Sequence, residues 1–254
     1  MEQTDQIQAT HVALRRVLGD ALIAVYLHGS AVSGKLQPQS DIDLLVVVDR
    51  DVTSDQRDEL LTELMQISGR HPAAPGGPRC IEVIVFRLSD LSEDRFPMRA
   101  ELTYGEWLRD AFESGEKPMP ARDPEYTLVL AQARQEAIPL SGPDRTELLP
   151  EVSTDVVRQA MRDLLPGLTD GLQGDERNVL LTLARMWRTA SAGDFVSKGE
   201  AALWAIPQMP AQDAAMLDYA RSAYLGQIID DWGSRRNDAK LLAEYLSNRV
   251  VELL

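Results

Sequence analysis

The stretch from Leu27 to Val48, LHGSAVSGKLQPQSDIDLLVVV, constrains the fold more than any other part of the chain. Its pattern predicts the end of a strand, a Gly-Ser turn, a polar loop and a second, almost wholly apolar strand. Asp41 and Asp43 open the second strand, where residues i and i+2 point to the same face. Two carboxylates side by side repel each other unless they face water or a cation. Mg²⁺ suits such a pair because it prefers hard oxygen ligands and leaves positions open for phosphate and water.

The Gly-Ser turn adds a site for an anion. Gly29 has no Cβ, so a ligand can approach the backbone closely, and Ser30 offers a hydroxyl and an N–H to a phosphate oxygen. An Asp-x-Asp pair alone is common in loops, and a hairpin with an acidic rim is the structural alternative. With the turn and two flanking apolar strands, the pattern favours nucleotidyl transfer.

A third carboxylate lies in the next apolar run, Cys80–Phe86, which predicts a third strand. Glu82 inside such a strand is costly unless it has a partner or a task. Two structural placements are possible: on a solvated face, or paired with a cation such as Arg79. The functional alternative places Glu82 beside the aspartate pair. The last interpretation is favoured.

Charge and composition limit the possible partners. The net charge is −14, from 40 acidic and 26 basic residues. This argues against nucleic acid as the main partner, because phosphate backbones need a basic surface, and it is compatible with a cationic substrate. No run approaches the ~20 apolar residues of a membrane span, and the polar N-terminus does not resemble a signal peptide. We expect a cytoplasmic monomer that binds neither membrane nor nucleic acid.

The pattern changes along the chain. Mixed strands and helices are expected up to the breaker-rich segment SGPDRTELLPE (141–151), and only helices after it, at about 153–165, 175–191, 198–206, 211–229 and 235–252. This predicts one domain over residues 1–150 and a helical domain over residues 151–254.

The opening motif, Gly29-Ser30, a ten-residue gap and Asp41-Ile42-Asp43, resembles the signature of the polymerase-β-like nucleotidyltransferases. Four later segments narrow the resemblance to the aminoglycoside adenylyltransferases that act on streptomycin and spectinomycin. They are RCIEVIVF (79–86), RAELTYGEWLRD (99–110), GDERNVLLTLARMW (174–187) and AYLGQ (223–227). The resemblance implies an α+β fold, with an N-terminal nucleotidyltransferase domain of mixed sheet and helices. A C-terminal helical bundle would close the cleft for ATP and drug.

The same resemblance implies a Mg²⁺-dependent transfer of AMP from ATP to a hydroxyl of an aminoglycoside or aminocyclitol antibiotic, giving antibiotic resistance. Asp41 and Asp43 would hold one or two Mg²⁺. Glu82 falls where the family has its general base. In the wider superfamily a third carboxylate ligates metal instead, and the sequence leaves both roles open.

The resemblance also implies contacts to both substrates. Those to ATP are Gly29, Ser30, Ser40, Glu125, Arg185, Lys198 and Tyr224. Those to the drug are Glu82, Trp107, Asp175 and Asn178. Structural alternatives remain for three of them: Arg185 on a solvated helix face, Asp175 as a helix N-cap and Trp107 as core. Related members carry Asp where this chain has Glu125, which puts that contact in question.

One departure bears on the drug. Members that accept streptomycin carry Trp and Asp in the loop before GDERN, where this chain has Pro166 and Gly171, with Asp170 one residue away. Spectinomycin is therefore the favoured substrate and streptomycin the doubtful one.

Two other functions compete. A minimal nucleotidyltransferase could modify a protein or another hydroxylated amine, although such proteins are usually short and lack the helical domain. A non-catalytic nucleotide sensor could keep the fold alone, but Ser30, Asp41, Asp43 and Glu82 are all intact.

Overall fold

A computed structural model of the chain describes residues 3–32, 36–38, 40–72, 74, 76–92 and 95–254. The chain divides into two compact units, Met1–Val152 and Ser153–Leu254. Across the described ranges, we find no helix with both the length and the apolar character that crossing a membrane requires.

The first unit combines strands and helices. Its strands are β1 (Leu22–His28), β2 (Ile42–Val48), β3 (Ile81–Arg87), β4 (Arg99–Ala100), β5 (Leu102–Tyr104), β6 (Ala121–Arg122) and β7 (Ile138–Ser141). Its helices are α1 (Gln3–Leu18), α2 (Ser54–Ile67), α3 (Leu88–Leu91), α4 (Arg109–Glu113), α5 (Pro124–Glu136) and α6 (Arg145–Leu148). Short 3₁₀ turns lie at Gly19–Ala21, Gly29–Ala31 and Glu106–Leu108.

Five strands form one mixed sheet in the order β5-β3-β2-β1-β7, and β4 pairs with β6 separately. β2 and β3 are parallel, whereas β1 is antiparallel to both β2 and β7, and β3 is antiparallel to β5. The apolar run of β2 predicts a central strand covered on both faces. This is confirmed, because β2 is the middle strand and Leu44–Val48 is buried throughout.

Helices cover both faces of this sheet. On one face, Leu14 of α1 and Leu60 of α2 pack with Ile42, Leu44 and Val46. On the other face, Tyr126, Leu130 and Ala133 of α5 pack with Leu45 and Ile84. The alternation of side chains along β2 therefore feeds two separate cores.

The start of α2 follows from its sequence. The Thr53 hydroxyl accepts the Gln56 N–H, and the Gln56 side chain accepts the Thr53 N–H. The residues Thr53-Ser-Asp-Gln56 thus form a reciprocal capping box, and such caps stabilise a helix by about 1 kcal/mol.

The second unit consists of helices. They are α7 (Thr154–Asp170), α8 (Glu176–Ala192), α9 (Lys198–Ala205), α10 (Ala211–Tyr224) and α11 (Arg236–Val251), with a 3₁₀ turn at Ile206–Gln208. The apolar face of α8 is buried, including Val179, Leu183 and Trp187. The ring of Trp187 meets those of Trp204 and Tyr245 edge to face at centroid distances of 5.1 and 6.4 Å. The α+β fold class is thus confirmed.

Two helix ends differ from the sequence expectation. α7 was expected to end before Pro166, which lacks an N–H, yet it continues through the proline to Asp170. Leu165 is buried beside it, so packing offsets the missing backbone hydrogen bond. α10 was expected to reach residue 229 but ends at Tyr224, before Gly226 with φ +70°.

Candidate active site

The register of the sheet brings the predicted carboxylates together. Asp43 of β2 is the direct neighbour of Glu82 on the parallel strand β3, and Asp41 lies two residues before Asp43. All three residues are half-buried. Beyond them the same face of the strands carries Leu45 and Ile84, which are fully buried under α5. The carboxylates therefore lie where one apolar core ends and the sheet edge opens.

The Gly29 turn packs directly against this edge. Gly29 has φ +65°, and a Cβ placed on it would lie 2.2 Å from Oδ2 of Asp43. The sequence suggested that the missing Cβ makes room for a ligand. The structure gives a different first reason, because the Asp43 carboxylate itself occupies that space.

This crowding predicts a measurable loss of stability. A left-handed alanine costs about 1–2 kcal/mol, and Gly29→Ala adds the clash with Asp43. Gly19 is a matched control, because its φ is +55° and no atom lies within 4 Å of its Cβ position. We expect Gly29→Ala to lower the free energy of unfolding more than Gly19→Ala does, as measured by urea denaturation. Equal losses would mean that the Asp43 contact costs nothing.

The two serines hold the loop that enters β2. The Ser30 hydroxyl donates to the carbonyl of Asp41 at 3.4 Å. The buried Ser40 hydroxyl accepts the Gln37 N–H at 3.2 Å, and the Ser40 N–H donates to the Gln37 carbonyl at 3.0 Å. Residues 33–35 and 39, within the predicted loop, lie outside the described part of the chain.

Arg79 is a supporting residue that the sequence interpretation missed. Its guanidinium donates to the carbonyls of Gln37 at 2.8 Å and Ser40 at 3.0 Å. Its own backbone exchanges hydrogen bonds with the buried Gln6 side chain of α1, at 3.0 and 2.6 Å. Arg79 thus anchors the loop before Asp41, whereas the sequence suggested it as a partner for Glu82. The signal available in the sequence was Gln6, a polar residue on the apolar face of α1.

Glu82 is one of several carboxylates near Tyr126. Tyr126 of α5 is buried and its hydroxyl accepts a hydrogen bond from Thr103 at 2.8 Å. Burial raises the pKa of Tyr126, and the charges of Asp123, Glu125 and Glu82 raise it further. Glu125, in the first turn of α5, and Glu82 therefore act on the same phenol. A cation or an amine-bearing ligand is favoured in such a region.

His28 is buried beside this edge and pairs with Asp43 across the β1–β2 ladder. Burial lowers its pKa to about 4, so the ring is neutral at pH 7. His28 is thus a packed, neutral ring beside the Gly29 turn.

Trp107 lies on the Glu106–Leu108 turn, and its side chain is 60% exposed. A Cβ on Gly105 would lie 2.2 Å from the indole ring, so the ring rests against the Gly105 backbone. The alternative that Trp107 belongs to the core is wrong.

The second unit joins three of the predicted residues in a chain of hydrogen bonds. Asn178 of α8 donates to Asp175 Oδ2 at 2.9 Å, and its carbonyl oxygen accepts from Lys198, the first residue of α9. Asp175 occupies the N-cap position of α8, but its side chain makes no capping hydrogen bond to the backbone. Arg185 lies two turns further along α8, and Tyr224 ends α10.

The donor set of the edge is oxygen-rich. Asp41 and Asp43 alone could supply two hard ligands to a divalent cation and would leave its other positions to water or phosphate. Within the described ranges, no group of three or more His, Cys, Asp or Glu side chains is arranged to hold a metal ion.

Comparison with known proteins assigns both parts of the chain. The family model "Polymerase beta, Nucleotidyltransferase" matches residues 17–74, and "Aminoglycoside adenylyltransferase, C-terminal domain" matches residues 147–249. A spectinomycin 9-adenylyltransferase of Staphylococcus aureus is 42% identical over 237 residues, covering 93% of this chain and 91% of that protein. An aminoglycoside (3'') (9) adenylyltransferase of Escherichia coli is 34% identical over 258 residues, covering 100% and 97%.

A solved structure is also similar over nearly the whole chain. It is the crystal structure of spectinomycin adenyltransferase AAD(9) from Enterococcus faecialis with ATP and spectinomycin. The TM-score is 0.93 at 31% identity, and the match covers 98% of this chain and 100% of that one. The predicted fold, a nucleotidyltransferase domain followed by a helical region, is confirmed by this match.

Proposed function

The chain belongs to the aminoglycoside adenylyltransferase family and is a nucleotidyltransferase, and we propose that it transfers AMP from ATP to a hydroxyl of spectinomycin. Such a transfer would inactivate the drug and give resistance. The observation that carries the proposal is the pairing of Asp43 with Glu82 on adjacent strands, with the Gly29 turn packed against Asp43. The test is incubation of purified protein with MgATP and spectinomycin, read as a mass increase of one AMP and release of pyrophosphate.

We assign Mg²⁺ to the pair Asp41 and Asp43, whose oxygen donors fit it. When bound, Mg²⁺ would supply positive charge that offsets the charge gathering on the phosphates as the reaction proceeds. Ser30 and Ser40 would hold the triphosphate from the turn and the loop. Gly29 would allow the backbone of that turn to approach the phosphates.

The proton of the attacking hydroxyl would go to Glu82. As the hydroxyl oxygen forms its bond to the α-phosphorus, the bond from that phosphorus to the bridging oxygen breaks and pyrophosphate leaves. A positioned carboxylate contributes typically about 10²–10⁴-fold to such a step. If Glu82 were instead a third metal ligand, its replacement would also change the Mg²⁺ requirement of ATP binding.

Further contacts are assigned on both substrates. For ATP they are Glu125 in the first unit and Arg185, Lys198 and Tyr224 in the second. The positive charges of Arg185 and Lys198 suit a triphosphate. For the drug they are Glu82, Trp107, Asp175 and Asn178, a set of carboxylates, an amide and an exposed aromatic ring suited to an amine-bearing ligand. That residues 151–254 close the cleft around both ligands also stays a prediction.

Streptomycin should be the poorer substrate. Pro166 lies inside α7 and Gly171 is its C-cap, so neither offers the Trp and Asp of streptomycin-accepting members. Losing one charged hydrogen bond corresponds to about tenfold or more in binding. We therefore expect kcat/KM for spectinomycin to exceed that for streptomycin by at least about tenfold, measured by pyrophosphate release.

Gly171→Asp is the matched variant for this preference. A Cβ at Gly171 meets only ordinary contacts, the nearest at 3.5 Å, so the variant should fold. It should raise streptomycin turnover and leave spectinomycin turnover unchanged. Equal turnover of both drugs by the unaltered protein would contradict the preference.

Other properties stay predictions. A monomer in the cytoplasm without affinity for nucleic acid is expected from the acidic charge and the small-molecule substrates, and size-exclusion chromatography tests the first of these.

A further inference from the structure

The last residue of α5 contacts the Gly29 turn. Glu136 Oε1 accepts the backbone N–H of Gly29 at 3.2 Å. The same oxygen accepts the Gln132 side-chain N–H, one helical turn earlier, at 2.6 Å. These donors hold the carboxylate against the turn that precedes Asp41 and Asp43.

The helix gives no electrostatic reason for a carboxylate at this position. Glu136 is the C-terminal residue of α5, where the helix dipole disfavours negative charge. Glu136 is also half-buried, which adds a desolvation cost. The hydrogen bonds from Gly29 and Gln132 offset part of both costs. The hydrogen bond from the Gly29 N–H thus fixes the position of the Glu136 carboxylate, and the same bond fixes the Gly29 turn.

A second contact extends this connection to the metal ligand. The Gly29 turn lies so close to Asp43 that a Cβ on Gly29 would overlap Oδ2 of that side chain. A shift of the turn therefore changes the space in which the Asp43 carboxylate can sit. Gln132 therefore contacts Glu136, Glu136 contacts Gly29, and Gly29 contacts Asp43.

We infer that Glu136 is a positioning residue: by accepting the Gly29 N–H it fixes the turn, and through the turn it fixes the Asp43 carboxylate for the metal. The inference rests on the proposed function, since it assigns the metal to Asp41 and Asp43. It also means that the Gly29 N–H faces α5, so Ser30 rather than Gly29 supplies the donors of the turn to phosphate.

A carboxylate near this turn could instead weaken ATP binding, because its negative charge repels the triphosphate. The two effects are separated by Glu136→Gln and Glu136→Ala. Glutamine keeps an oxygen that accepts the Gly29 N–H and removes the charge, whereas alanine removes both. Positioning predicts that glutamine preserves function and alanine does not. Charge repulsion predicts that both variants bind the nucleotide more tightly than the unaltered protein.

The experiment measures ATP binding by calorimetry across a Mg²⁺ titration, without drug, together with AMP transfer to spectinomycin. For Glu136→Ala we expect the Mg²⁺ concentration for half-maximal ATP binding to rise about three- to tenfold, the loss expected for one charge-assisted hydrogen bond. Glu136→Gln should stay within about twofold of the unaltered protein. In the nucleotide-free protein, hydrogen exchange of the Gly29 amide should be faster in Glu136→Ala only.

The matched control is Glu63→Ala, the same change toward the C-terminal end of α2, where the side chain pairs with Arg16. Its Mg²⁺ requirement should be unchanged. Gln132→Ala loosens Glu136 from the other side and replaces Glu136→Ala if that variant fails to fold. An unchanged Mg²⁺ requirement in Glu136→Ala, equal defects in the Ala and Gln variants, or tighter binding in both would each overturn the inference.

The two proposals fail in different ways. If the unaltered protein binds MgATP but transfers no AMP to the drug, the proposed function fails. The calorimetric and exchange measurements then still decide the role of Glu136.

Discussion

Asp43→Asn should lower drug-dependent AMP transfer by about a thousandfold or more. Charge stabilisation by a bound metal is worth several kcal/mol, and each ~1.4 kcal/mol is tenfold in rate. Asparagine keeps the shape of the side chain but replaces the charged carboxylate, to which we assign the cation, with a neutral amide. Removing one charge from the group of neighbouring carboxylates also lessens their mutual repulsion in the folded protein. Asp41→Asn should behave in the same way, and pyrophosphate release under saturating MgATP measures both.

The control is Asp49→Asn, which makes the same change just after the other end of β2. Asp49 is exposed and pairs with Arg50 at the surface, so turnover should be unchanged. Near-normal AMP transfer by either Asp41→Asn or Asp43→Asn would remove the basis of the proposed function.

Glu82→Gln should reduce turnover by about 10²–10⁴-fold, the contribution of a general base. Glutamine fits the same space on β3 beside Asp43 but cannot take a proton. ATP binding and its Mg²⁺ requirement should be unchanged. The residual rate should rise with pH, because hydroxide can partly replace the missing base. Stopped-flow turnover over a pH series, with calorimetry of ATP binding, measures these effects.

The same variant separates the two roles of Glu82. A rise in the Mg²⁺ requirement together with the loss of turnover would identify a metal ligand instead of a base. Glu59→Gln on the exposed face of α2, where Glu59 pairs with Arg16, is the control and should leave turnover intact. Unchanged turnover in Glu82→Gln would exclude both roles.

The sequence was most informative where local pattern decides structure. β1, β2 and β3 follow from apolar runs, and the start of α2 follows from its capping box. β4 and β6 consist of two residues each, too few for any periodic pattern, and they form only because distant segments meet. The predicted end of α7 was wrong. The rule that proline ends a helix considers only the local sequence, whereas the packing around Leu165 depends on residues from other parts of the chain.

The residues of the site also divide into those that the local sequence predicts and those that it does not. Asp41 and Asp43 share a face because of the two-residue period of one strand. The neighbour relation of Asp43 and Glu82 depends on a parallel register between strands joined through α2, which no short motif encodes. Arg79 and Glu136 donate to and accept from the backbone at Ser40 and Gly29, respectively, which are far away in the chain. Such contacts become visible only in the folded chain.

The exposure of Trp107 gives the protein an intrinsic optical reporter. The other indoles are shielded to different degrees: Trp187 and Trp232 are buried and Trp204 is half-buried, whereas Trp107 is 60% exposed. A neutral quencher such as acrylamide will therefore reach Trp107 first, and the long-wavelength edge of the emission will come mainly from it. Occupancy near this ring can thus be followed by fluorescence, with no label attached.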